Sequence, residues 1–90
     1  MINVTVTQLD SMTGEIAHDR TTFEEFTPEA LVSWFRDMTL EHGGPEGMAN
    51  IRVISTGKVQ DHTLHATIED NGPGNYCNMV VMLYAQRTRA

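Results

Sequence analysis

Four histidines, one cysteine and twelve carboxylates are the side chains through which this chain of 90 residues could act on a substrate or a metal. His62 and His65 form a His-x-x-His pair, which converges on one side of a helix. On a strand, positions i and i+3 point to opposite faces. His18, His42 and Cys77 add no second pair at zinc spacing. No metal site and no cofactor are expected, and His65 reads as a residue on the polar face of a strand. Cys77 would need a base and a cationic neighbour or helix N-terminus to become a nucleophile. Tyr76 and Asn78 supply neither, so it reads as a small buried hydrophobe.

Other short patterns fail on the same kind of test. Ser11, Ser33 and Ser55 lie in no nucleophile-elbow sequence. His42-Gly43-Gly44 looks like the oxyanion loop of some esterases, but without a nucleophile it reads as a helix stop. Gly72-Pro73-Gly74 is glycine-rich, yet Pro73 has no N–H to offer a phosphate and a strand follows instead of a helix. Glu69 and Asp70 are adjacent, which does not make them an acid/base pair. The chain is read as non-enzymatic, and a small enzyme of unknown type ranks behind two binding readings.

Charge is more informative. The formal net charge is −6, with nine acids against two bases in residues 1–50 and three acids against four bases in residues 51–90. A phosphate backbone is bound by clustered Lys and Arg that displace counterions. None cluster here, so direct nucleic-acid binding is not expected. An acidic surface suits a basic partner or serves solubility. Met1 to Thr5 alternates without charge, unlike a signal peptide. The longest apolar run, Met79 to Ala85, falls well short of the roughly 20 residues that cross a bilayer. One cysteine excludes an internal disulfide, which suits a reducing compartment. No membrane association is expected, and the cytoplasm is the expected location.

The elements that must position these groups follow from periodicity. Ile2 to Thr7 alternates as a strand with one buried face. Asp10 to Gly14 has turn chemistry, and Glu15 to Thr22 returns as an exposed edge strand. Thr27 is an N-cap, Pro28 fits N1, and Phe26 can staple onto Leu31. Leu31, Trp34, Phe35 and Met38 make one apolar stripe, each worth about 1.5–3 kcal/mol if buried. Glu41 to Pro45 should stop the helix. Strands are then expected over Asn50–Ser55, Thr63–Glu69 and Tyr76–Gln86, with turns at Gly57-Lys58 and Gln60-Asp61-His62 and a loop over Asp70–Asn75. The result is one α+β domain over residues 1–90: β-β-α-β-β-β, a mainly antiparallel sheet with one helix packed on one face.

This architecture leaves a mismatch. The last strand is apolar on both faces and so reads as central and covered on both sides. A helix of about 14 residues spans about 21 Å and covers one face. Met79 and Met82 are three apart on that strand, so one of them faces away from the helix. Loops or another chain must cover the second face. Candidate contact residues are therefore Met79, Met82 and Tyr84 on the sheet and Glu25, Glu29, Asp37 and Glu41 around the helix. The expected partner is a protein, one with a basic nucleic-acid-binding surface if the acids carry the contact. A homodimer or other homo-oligomeric assembly is the alternative.

The segment Phe23-Glu24-Glu25-Phe26-Thr27-Pro28-Glu29-Ala30-Leu31-Val32-Ser33-Trp34-Phe35 resembles the helix entry of type I-F anti-CRISPR proteins, in which an acid-flanked Phe leads into a Leu-x-Ser-Trp-Phe helix. The resemblance spans residues 23–35, and the strands beyond it depart from that family, so no binding residue is carried over. It implies a small acidic phage or mobile-element protein that works by blocking a macromolecular partner.

Overall fold

The computed structural model describes residues 1–11, 13–48, 51–70 and 79–88, with the backbone alone at 40–48, 70 and 79. Six elements follow in order: β1 (Ile2–Asp10), β2 (Ile16–Phe23), α1 (Pro28–Met48), β3 (Ile51–Val59), β4 (Thr63–Asp70) and β5 (Met79–Arg87). This is a small α+β fold, and its element order agrees with the expected one. The strands form one sheet in the order β2-β1-β5-β4-β3, every neighbouring pair antiparallel. The apolar run of the last strand thus lies at the centre of the sheet, where both of its ladder edges are paired. Asp70, expected to open the loop over Asp70–Asn75, is instead the last residue of β4. The remaining residues of that loop, like Cys77, lie outside the described part.

Local chemistry sets the first turn. The Gly14 N–H donates to the Asp10 carbonyl at 2.8 Å, and the Asp10 N–H donates to the Glu15 carbonyl at 3.0 Å. The Asp10 carboxylate accepts from the Thr13 N–H at 3.3 Å. Gly14 takes φ +73°, a left-handed backbone that only glycine adopts without strain. This turn hands β1 to β2 in a register that pairs Val6 with Asp19 and Leu9 with Ile16.

The helix begins as its grammar dictates. Thr27 Oγ1 accepts from the Ala30 N–H at 3.2 Å, capping one of the four orphan donors. Replacing Thr27 by Ala is expected to lower stability by about 1 kcal/mol in a urea titration, and Ser in its place should recover most of the loss. Leu31 and Phe35 are buried, with Trp34 and Met38 at the margin of the core. Val32 is also buried, so the buried arc is wider than the four-residue stripe. A helix lying across a flat sheet meets neighbours on both flanks of its stripe.

Two expectations about this region need correction. The helix does not stop at Glu41 to Pro45 but continues through Gly43, Gly44 and Pro45 to Met48. A proline removes one backbone donor, and glycine weakens a helix by about 1 kcal/mol per residue. Both reduce the stability of the last turns without forbidding them. At 21 residues the helix is about 32 Å long. The second correction concerns Gly57-Lys58, which lies inside β3 instead of forming a turn. The Gln60-Asp61-His62 turn stands as read, with Gln60 at φ 60°.

The core lies between α1 and one face of the sheet. Val4, Val6, Phe23, Leu64, Ala66, Ile68, Val81, Leu83 and Ala85 supply the sheet side. Alternation along β4 matches the expectation: Leu64, Ala66 and Ile68 are buried, while His65, Thr67 and Glu69 occupy the other face. Among the described residues, no helix lies over that other face.

Candidate functional site

Register assembles the uncovered face row by row. Partners in an antiparallel ladder share a face. One row therefore runs Ile16, Leu9, Met82, Thr67, Ser55 across all five strands. The next runs His18, Thr7, Tyr84, His65, Gly57, and a third runs Arg20, Thr5, Gln86, Thr63, Val59. Ile16, Val59 and Tyr84 are well exposed, Tyr84 at 44%, while Leu9, Val80 and Met82 are half-buried among their neighbours. Apolar side chains thus follow the β1–β5 seam, set among threonines.

Two contacts give this face a fixed relief. Thr7 Oγ1 and His18 Nδ1 lie 3.0 Å apart and share a hydrogen bond. The His65 ring lies over Gly57: a Cβ at that position would come within 2.5 Å of His65 Nε2. Glycine within a strand often marks such a close approach, and here the ring occupies the space a Cβ would need. The sequence neighbourhood of Gly57 signals a turn, so only the register reveals this role.

Carboxylates, more than bases, divide between the two sides of the molecule: Lys58 and Arg87 share the helix-side parity of Leu64 and Val4, and Arg36 lies on α1 itself. Among the described residues of the uncovered face, the charged side chains are Arg20, Arg52 and Glu69, and Arg52 forms an ion pair with Glu69. Glu25, Glu29 and Asp37 are all exposed around α1, as expected. Of Glu41 the structure describes only its place in the helix. By strand parity Asp10 and Asp19 belong to the helix side too, opposite Val81 and Val6. Of the two methionine candidates, Met82 occupies the uncovered face, whereas position 79 shares the parity of Val81 and Leu83.

A groove of about 460 Å³ opens on the helix side, between the β1–β2 hairpin and the middle of α1. Ala17, Phe35, Met38 and Val81 form its apolar walls, with Ile16 at the strand end on its border and Gln8, Asp10 and Glu15 as polar members. Gln8 Nε2 donates to Asp19 Oδ2 at 2.8 Å and lies 3.6 Å from Met38 Sδ. Nothing local in the sequence marks Gln8, Asp10, Glu15 or Asp19 as members of a binding groove. Their convergence depends on hairpin register and on where the helix crosses, which no local pattern encodes. Among the described residues, no polar or charged side chain is fully buried, and no three His, Cys, Asp or Glu side chains converge as metal ligands. No helix among them is long and apolar enough to cross a membrane. Comparison of the chain with protein-family models, curated proteins and solved structures finds no match.

Proposed function

We propose that this protein is a non-enzymatic inhibitor that docks its acidic helix side against a basic surface of a macromolecular partner. One observation carries the reading: among the described residues, all the exposed carboxylates but Asp61 of the β3–β4 turn gather around α1 and the β1–β2 hairpin, while the opposite face has Glu69 alone, already paired with Arg52. Such a distribution steers a basic surface toward one side of the molecule. The groove beside α1 adds a place for a long basic side chain, with apolar walls for its methylenes and Asp10 and Glu15 near its charged end. The resemblance of residues 23–35 to type I-F anti-CRISPR proteins supports a target that itself binds nucleic acid, in the cytoplasm of a bacterial host.

The test is a plaque assay. The chain is expressed in a bacterium whose active type I-F CRISPR system targets an infecting phage. The wild-type chain should restore plaquing. A triple variant, Glu25→Lys, Glu29→Lys and Asp37→Lys, should lose that effect while keeping its circular dichroism spectrum, because all three side chains are exposed. Unchanged plaquing with the wild-type chain would remove this class of partner. Full activity in the triple variant would remove the acidic side as the contact.

A further inference from the structure

The uncovered sheet face needs an occupant of its own. It carries Tyr84, Met82, Leu9 and Ile16 in adjoining positions of three neighbouring strands, and Val59 at its far edge. We infer that the occupant is a second copy of this chain, so that two sheets stack face to face and the two acidic helix sides end on opposite outer surfaces.

Charge is the first support. Each copy carries a formal −6, so two copies repel wherever acidic surfaces meet. The sheet face is where they can approach, since its described charges are Arg20, Arg52 and the paired Glu69. A basic partner would be drawn to the other side. Area is the second support. With strands about 4.8 Å apart and same-face residues about 6.8 Å apart, the three rows across all five strands and a shorter fourth of Val80, Glu69 and Arg52 make a patch of roughly 600 Å². Two such patches bury about 1,200 Å² in total, within the range of specific protein interfaces. Composition is the third support. Tyr84 stands in the middle row between Thr7 and His65, with Thr5, Thr63 and Thr67 in the adjoining rows, giving an aromatic anchor set largely among short side chains. Sheets stacked this way lie about 10 Å apart, which Thr, Met and Tyr side chains fill.

This dimer requires nothing of the partner proposed above, and salt separates the two. Docking of the acidic side to a basic surface weakens as salt screens attraction. Self-association of two acidic chains tightens as salt screens repulsion. Light scattering on the full chain, from low micromolar to about 0.5 mM protein and from about 20 mM to about 0.5 M NaCl, should give twice the chain mass, with the midpoint moving to lower protein concentration as salt rises. Tyr84→Arg and Thr7→Arg should each return the mass to one copy at concentrations where the wild-type chain is paired, and Asp37→Lys should leave it paired. If Tyr84→Arg fails to fold by circular dichroism, Thr7→Arg decides. A wild-type chain that stays monomeric throughout overturns the inference, as does a larger assembly or a dimer indifferent to both sheet-face variants.

Discussion

Truncating Leu83 to Ala is expected to lower the unfolding free energy by about 2–5 kcal/mol, while Tyr84→Ala, one residue along, should cost under about 1 kcal/mol in dilute solution. Leu83 is fully buried in the central strand, paired with Gln8 on one side and Ala66 on the other. Both flanking strands are held by continuous ladders, so the backbone cannot close in on the void. Ala66 is too small to reach into it. The expected loss therefore lies in the upper half of the range. Tyr84 points to the uncovered face, and much of its ring is already in water. Urea unfolding followed by circular dichroism at low micromolar protein reads both values. Equal losses would mean that β5 is shifted by one residue, because a one-residue slip exchanges the two faces of a strand.

The contrast between Leu83 and Tyr84 marks where sequence and structure part. Strand β4 was legible because Leu64, Ala66 and Ile68 alternate with polar residues, and alternation is a local property. The helix start was legible because a cap, a proline and a staple act within one turn. The centrality of β5 followed from its apolar run. The failures share a different physics. Gly57 is a turn residue by composition, and only a long-range pairing with His65 gives it a place in a strand. Gly43, Gly44 and Pro45 carry stop signals of a few kcal/mol, which a helix held at its other end overrides.

The candidate surfaces divide the same way. Exposure of Glu25, Glu29 and Asp37 follows from helical spacing and loop position. The near-neutral character of the uncovered face does not, because it depends on which residues of four other strands stand beside Tyr84. Strand order brings His18 and Thr7 from the first hairpin and His65 from β4 into one row with it. Sequence alone marks Met82 or Met79 as facing outward, and parity within the sheet selects Met82.

Phe35 tests how the helix is held to that sheet. Phe35→Ala is expected to cost about 3 kcal/mol, toward the low end for a buried aromatic ring. Its ring is 3% exposed, yet it also forms one wall of the groove lined by Ile16, Ala17, Met38 and Val81. Removing it joins a new void to space that water already reaches, and the flexible Met38 can swing partly into the gap. Leu31, wholly enclosed four residues earlier, offers no such relief. Leu31→Ala should therefore lose at least as much stability despite deleting a smaller side chain. The widened groove in Phe35→Ala should also accept a small aromatic molecule. Benzene or indole should raise the thermal midpoint of this variant and leave that of the wild-type chain nearly unchanged. A loss below about 1 kcal/mol, with no rescue by either molecule, would mean that the helix is anchored elsewhere. Leu31 and Val32 would then carry the contact, and the groove would be a surface feature with no connection to the core.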